Sequence, residues 1–250
     1  MRSRSATRPS PSTQTRTPSG PASPPETTIR AEQLPGARRS AVFFGGTFDP
    51  PHMGHIAAIR ELRQVTERPV IVVPTGTPTY RPSPQASAGA RAEMVELAVR
   101  SLADPQVTVC RWEVERVTPT YTVDTVEWLH SKDPDLGLVL ALGSDVAAEL
   151  PTWQSVGRLL GQVRLLVFER AGAPETGQAV LTVLRQHGLP LDGAEVVSLS
   201  TPAVDATGIR AALAAGVGSP GMLPQAVAEY ISSHRLYRDL PTPGRGTAIG

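Results

Sequence analysis

The chain has 250 residues, 40% apolar and 19% charged, which suits one ordinary domain with a sizeable core. Its 24 Lys and Arg against 23 Asp and Glu give a formal net charge of +1, so neither a nucleic acid nor an anionic membrane is indicated as the main partner. Cys110 is the only cysteine, which excludes an intramolecular disulfide and a thiolate cluster and fits a reducing, cytoplasmic compartment.

Residues 1–36 consist largely of Ser, Thr, Pro and Arg with little to bury, and are expected to form a disordered extension. No secretory apolar segment stands at the start, and no apolar run approaches the ~20 residues of a bilayer span. The ordered domain is expected over 37–239, with a loose tail at 240–250. Within it, the apolar run Ala41-Val42-Phe43-Phe44 predicts a buried strand stopped by two glycines. Ile56, Ile59, Leu62 and Arg63 at helical spacing predict a helix over 53–66. A second strand is predicted at 70–73, stopped by Pro74, and a helix at 87–103 with Met94, Val95, Leu97, Ala98 and Leu102 turned inward. A third strand at 107–110 makes Cys110 a buried apolar filler rather than a nucleophile. Then follow a helix at 122–131, a strand at 136–142, a helix at 154–160, a strand at 163–168, a helix at 175–187, a strand at 195–199 and helices at 207–215 and 224–234.

Strands alternating with helices at this spacing imply βαβ crossovers, hence an α/β fold with a parallel sheet covered by helices on both faces. Ligands bind such sheets beyond the carboxyl ends of the strands, where strand order reverses. The segments to read for function are therefore 45–55, 74–81, 143–153 and 200–210.

The first is Gly45-Gly46-Thr47-Phe48-Asp49-Pro50-Pro51-His52-Met53-Gly54-His55. Two glycines let backbone N–H groups approach a phosphate, and Thr47 adds a hydroxyl. The rigid Asp-Pro-Pro turn sets His52 at the helix start, with His55 three residues on and on the same face. Imidazoles beside the positive end of a helix suit an α-phosphate whose charge grows during transfer. A metal site is not expected, because no nearby Cys or Glu completes one. The plain alternative is a glycine turn bearing two surface histidines.

This string resembles the H-x-G-H adenylyltransferase superfamily, and bacterial nicotinate-nucleotide adenylyltransferases in particular, over about 41–237. The resemblance implies a Rossmann-like nucleotidyltransferase fold. It also implies ATP with Mg²⁺, nicotinate mononucleotide as acceptor, and in-line attack on the α-phosphorus with loss of pyrophosphate. By the same resemblance His52 and His55 are catalytic. ATP falls to Gly45, Gly46, Thr47, Phe48, the two histidines, Gly143, Asp145, Thr207 and Arg210. The acceptor falls to Thr75, Arg81, Tyr121, Thr122 and Trp153.

Each assignment has a rival. Asp145, in Gly143-Ser144-Asp145, either accepts from a ribose or caps a helix. Trp153, in a Leu-x-x-Trp stretch, either stacks on a pyridine ring or fills the core. Tyr121 and Thr122 lie in Pro119-Thr120-Tyr121-Thr122-Val123-Asp124-Thr125, similar to the family's Pro-Ser-Tyr-Thr-x-Asp-Thr, where Asp124 is expected to cap or brace. Arg91 either serves a phosphate or pairs with a surface acid. Tyr80 and Arg81 replace a His-Lys pair usual in the family; Arg81 keeps the charge. Val204-Asp205-Ala206-Thr207-Gly208-Ile209-Arg210 departs from the family's Ile-Ser-Ser-Thr-x-Ile-Arg by losing both serines; Asp205 either weakens the hold on ATP, unless it points away or coordinates Mg²⁺, or, as favoured, caps the helix. Nicotinamide mononucleotide or phosphopantetheine as acceptor, and a nucleotide-binding relative with little turnover, are the competing functions.

Overall fold

The structure is a computed structural model that describes residues 40–77, 83–170 and 176–238. The expectations for 1–36 and 240–250, and those for Tyr80 and Arg81, fall outside them. Six strands form one sheet: β1 (Ser40–Gly46), β2 (Val70–Pro74), β3 (Val107–Val109), β4 (Gly137–Gly143), β5 (Val163–Arg170) and β6 (Glu195–Leu199). Their order is β3-β2-β1-β4-β5-β6, and every neighbouring pair is parallel. The order reverses between β1 and β4, whose Val42 and Val139 are in register.

The helices are α1 (Met53–Thr66), α2 (Ala88–Arg100), α3 (Thr122–Lys132), α4 (Ser144–Ala147), α5 (Val156–Leu160), α6 (Gly177–Gln186), α7 (Ala206–Ala214) and α8 (Gln225–Ser233). Alternate residues of each strand feed opposite cores, as the strand period of two demands. Phe43, Ile71, Leu140 and Val167 meet α3, α5 and α6 on one face through Val126, Leu129, Leu159 and Leu181. Phe44, Val72, Ala141 and Phe168 meet α1 and α2 on the other through Ile59, Leu62 and Val95. A third cluster packs Ile56 of α1 and Met94 of α2 against Ile209, Val227, Ile231 and Tyr237, fastening the C-terminal helices to α1 and α2.

The elements match the sequence reading with two differences. The segment 143–153 holds α4 and a short 3-10 helix, Leu150–Thr152, so it is a tightly folded shoulder rather than an open loop. Strand β3 has only three assigned residues, although the Cys110 N–H still donates to Val72 O at 2.9 Å. Cys110 is fully buried in the first core, as an apolar filler should be.

Candidate active site

The ends of β1 and β4 open onto two cavities with a common wall. The larger, about 480 Å³, is lined by residues 45–49, His52, His55, Gly143, Phe168, Ala206 and Arg210, among others. The smaller, about 110 Å³, is lined by Thr75, Glu113, Thr120, Thr122, Val146 and Trp153, among others. Gly45, Gly46, Thr47, Leu142 and Val146 border both. Two ligands seated here would meet across the Gly45–Thr47 backbone, at the point where strand order reverses.

Local packing explains the first loop. A Cβ on Gly46 would lie 2.9 Å from the Phe48 ring, so glycine leaves room for that ring to turn inward. Phe48 has a φ of 52° and is 2% exposed; it packs against Phe44 and sets its ring edge-on to His55 at 4.9 Å. His52 occupies the N-cap of α1, and its N–H donates to His55 Nδ1 at 3.2 Å. The two imidazoles stack at 3.7 Å with 27° between planes. They form one aromatic unit, His52 buried and His55 half-buried, on the wall of the larger cavity. A Cβ on Gly54 would stand 3.1 Å from the His52 ring and 3.4 Å from Pro202 O. Gly54 therefore makes room for the histidine itself, not only for a ligand. The Met53 N–H donates to Met222 O at 2.8 Å, so the first donor of this helix end is already engaged by the chain.

The loop is anchored from below. Asp49, 6% exposed, accepts from Gln85 N at 2.8 Å, Ala86 N at 3.1 Å and Tyr237 Oη at 2.7 Å. Burial and the bond to Asp49 push the Tyr237 phenol well above its usual range. Arg210 reaches from α7 to donate to Asp49 O at 2.8 Å and to Thr207 Oγ1 at 3.2 Å. These contacts hold the start of α7 beside the histidines. Asp205 is the N-cap of that helix and its Oδ1 accepts from Gly208 N at 2.8 Å. The carboxylate is turned onto its own helix, as the capping reading expects.

In the smaller cavity, the Thr75 N–H donates to Gly46 O at 2.9 Å, continuing the ladder past the last strand residues. Trp153 caps the 3-10 helix and lines this cavity; its Nε1 is buried without an acceptor among the described residues. It also packs on the first core, as its core reading expects, and its remaining surface faces the cavity. Thr122 lines the cavity, whereas Tyr121 does not: it stands at the N-cap of α3 and packs on the core. Asp124 braces that turn by accepting the Tyr121 N–H at 2.9 Å, as expected. Asp145 is exposed in the first turn of α4 and borders neither cavity; the cap position there belongs to Gly143, so the capping reading of Asp145 is corrected.

Arg91 departs from both of its sequence readings. It is 1% exposed, and its Nη1 and Nη2 donate to Thr47 O at 2.6 Å and Gly76 O at 2.7 Å. It serves neither the surface nor a cavity wall, because both arms are occupied by backbone carbonyls. Burial lowers its pKa. Glu113 was not singled out by sequence. Its neighbours Glu115 and Arg116 give the segment after β3 the look of a solvated turn, yet Glu113 is 6% exposed. Its place just after a buried strand was the one available signal. No group of three or more His, Cys, Asp or Glu able to hold a metal is gathered among the described residues. No helix among them is long and apolar enough to cross a membrane.

Comparison with known proteins agrees with this geometry. The cytidylyltransferase-like family model matches residues 43–238. A probable nicotinate-nucleotide adenylyltransferase of Bordetella petrii is 40% identical over 199 residues, 78% of this chain and 96% of the relative. A protein of the same description from Gemmatimonas aurantiaca is 35% identical over 206 residues, 82% of this chain and 94% of the relative. Among solved structures, a Plasmodium falciparum nicotinic acid mononucleotide adenylyltransferase complexed with NaAD superposes with a TM-score of 0.64 at 15% identity, over 80% of this chain and 97% of that one; at that identity it supports the fold alone. The match spans both cavities and the loop between them, and the chain belongs to the cytidylyltransferase-like family and, within it, to the nicotinate-nucleotide adenylyltransferases.

Proposed function

We propose that the chain transfers the AMP unit of MgATP to nicotinate mononucleotide, giving the deamido dinucleotide and pyrophosphate. The observation that carries this reading is the pair of cavities sharing the Gly45–Thr47 wall, with two stacked imidazoles on the nucleotide side. ATP occupies the larger cavity and the pyridine of the acceptor the smaller. A phosphate oxygen of the mononucleotide attacks the ATP α-phosphorus. One P–O bond forms as the bond to the β-phosphate oxygen breaks, and pyrophosphate leaves with the electron pair. No covalent enzyme intermediate is needed.

In this reaction the protein supplies position and charge. His52 and His55 stand on the wall where donors to the α-phosphate oxygens are needed as charge develops. Arg210 and the start of α7 face the same cavity and suit the leaving pyrophosphate. Mg²⁺ arrives with ATP and neutralises part of the triphosphate charge. Trp153 offers an aromatic wall to the acceptor ring, and the backbone at Thr120–Thr122 opens α3, whose N-terminal dipole favours a carboxylate. Cytoplasmic residence fits the lone reduced cysteine and these soluble substrates.

The test is incubation with MgATP and, in parallel, nicotinate mononucleotide, nicotinamide mononucleotide and phosphopantetheine. Pyrophosphate and a dinucleotide should form with the nicotinate compound at the highest kcat/KM. A chain that binds ATP but converts neither mononucleotide would overturn the assignment. Greater turnover of the amide would replace the acceptor and keep the chemistry.

A further inference from the structure

Under the wall shared by the two cavities runs a buried polar relay that the reaction above does not account for. Glu113, on the acceptor side, takes a hydrogen bond from Thr125 Oγ1 at 2.6 Å and another from Gly76 N at 3.4 Å. Thr120 adds a side-chain hydrogen bond. The carbonyl of the same Gly76 receives Arg91 Nη2 at 2.7 Å, and the other arm of Arg91 holds Thr47 O at 2.6 Å. Glycine is required at the centre, because a Cβ there would lie 2.4 Å from the Glu113 carbonyl oxygen. The acid and the base are thus joined through one residue's backbone.

One end lies on the acceptor side and the other on the wall that both cavities share. Thr120, Thr122 and Thr75 line the smaller cavity, and Thr47 borders both. Replacing a buried acid and base by apolar packing of the same volume is often neutral or stabilising, so stability alone is a poor reason for this pair. Burial raises the Glu113 pKa, against the hydrogen bonds from Thr125, Gly76 and Thr120, and lowers that of Arg91, against the nearby charge of Asp49. Bridging groups fixed by two or more hydrogen bonds gives a rigid geometry that apolar packing does not.

We infer that Glu113 and Arg91 are positioning residues: through Gly76 they fix the acceptor-binding turn at Thr120–Thr125 relative to the nucleotide loop at Thr47, and so set the distance between the two substrates. The inference rests on the two-substrate reading above. In-line transfer is sensitive to such a distance, since a displacement of about 1 Å costs on the order of 10²-fold in rate.

The full-length protein is the test object. Glu113→Gln keeps the shape but turns an amide donor toward groups that donate. Arg91→Lys keeps the charge but cannot span two carbonyls. Glu113→Gln should raise KM for the mononucleotide about tenfold and leave KM for ATP within about twofold. Arg91→Lys should lower kcat on the order of 10²-fold. The double variant should lose little more than the worse single one, because both act through one relay. Hydrogen exchange in both variants should quicken at 74–77 and 119–125 and stay unchanged in β4 and β5. Thr125→Val, which removes one donor to Glu113, gives the same pattern at smaller size if Arg91→Lys does not fold. Variants with unchanged KM and a merely smaller active fraction would overturn the inference, as would single effects that multiply in the double variant. If the wild-type protein converts neither mononucleotide, the two-substrate reading fails instead. The relay is then judged by exchange alone: loosening of 119–125 on Arg91→Lys supports it, and unchanged exchange there overturns it.

Discussion

In the proposed reaction His52 and His55 work as a stacked pair rather than as two independent donors. Their rings are 3.7 Å apart, and Phe48 fixes the edge of the second. Replacing one imidazole removes a donor and also the face against which the other is held. His55→Ala should therefore lower kcat about 10²- to 10³-fold while ATP affinity, measured by calorimetry, changes little. A loss confined to KM for ATP would assign the pair to ground-state binding instead. Gly54 belongs to the same unit, since any side chain there meets the His52 ring. This loop was legible in sequence because two glycines, a proline turn and two histidines follow directly on a buried apolar run. Arg91 and Glu113 were not. Arg91 reaches residues 15 and 44 positions away and Glu113 residues 12 and 37 away, so whether each side chain is solvated or buried depends on how separate loops close.

At the level of elements, α7 shows how a lost motif residue is compensated. The family resemblance leads to a serine where this chain has Asp205, and a carboxylate at a phosphate site would be unfavourable. The structure turns that carboxylate onto the Gly208 N–H, and Asp205 does not border the larger cavity. Asp205→Ala should cost about 1 kcal/mol through the lost cap, a fall of a few degrees in Tm by calorimetry. Asp205→Ser keeps a cap and should leave both Tm and KM for ATP nearly unchanged; a large drop in KM would show that the acid repels the triphosphate after all. The 143–153 segment shows the opposite limit. Sequence reading marks it as the loop after β4, but α4 and the 3-10 helix form there from short stretches without a full helical repeat. Their packing on β5 and the first core places Val146 and Trp153 on the smaller cavity.

Across the whole molecule, the two-faced core makes stability respond to alkaline pH through Cys110. Burial pushes its thiol up to about 11, while an unfolded thiol ionises near 8.5. A raised acid pKa means that the unfolded chain releases its proton first. This stabilising contribution is complete below about pH 8.5 and fades as pH rises towards 11. Its size is about 3 kcal/mol for a site with no exposed surface. Urea midpoints from pH 8 to 10.5 should fall less steeply for Cys110→Ala than for the wild-type protein. Parallel slopes would mean that the thiol ionises without opening the core. The same burial should keep Cys110 unreactive to alkylating reagents at neutral pH.

The amino-acid sequence by itself determined the alternation of strands and helices, the parallel sheet, and the glycine- and histidine-bearing loop at the end of β1. Each is a local pattern, set by the periodicity of apolar residues and by which residue types permit a turn. Only the tertiary structure decided that β1 and β4 are neighbours, that two cavities share one glycine wall, and that Gly76 stands between a buried acid and a buried base. Those facts depend on closing loops between residues far apart in the chain. Their energetics follow from which polar groups are removed from water together, a property of the folded whole that no short stretch of sequence carries.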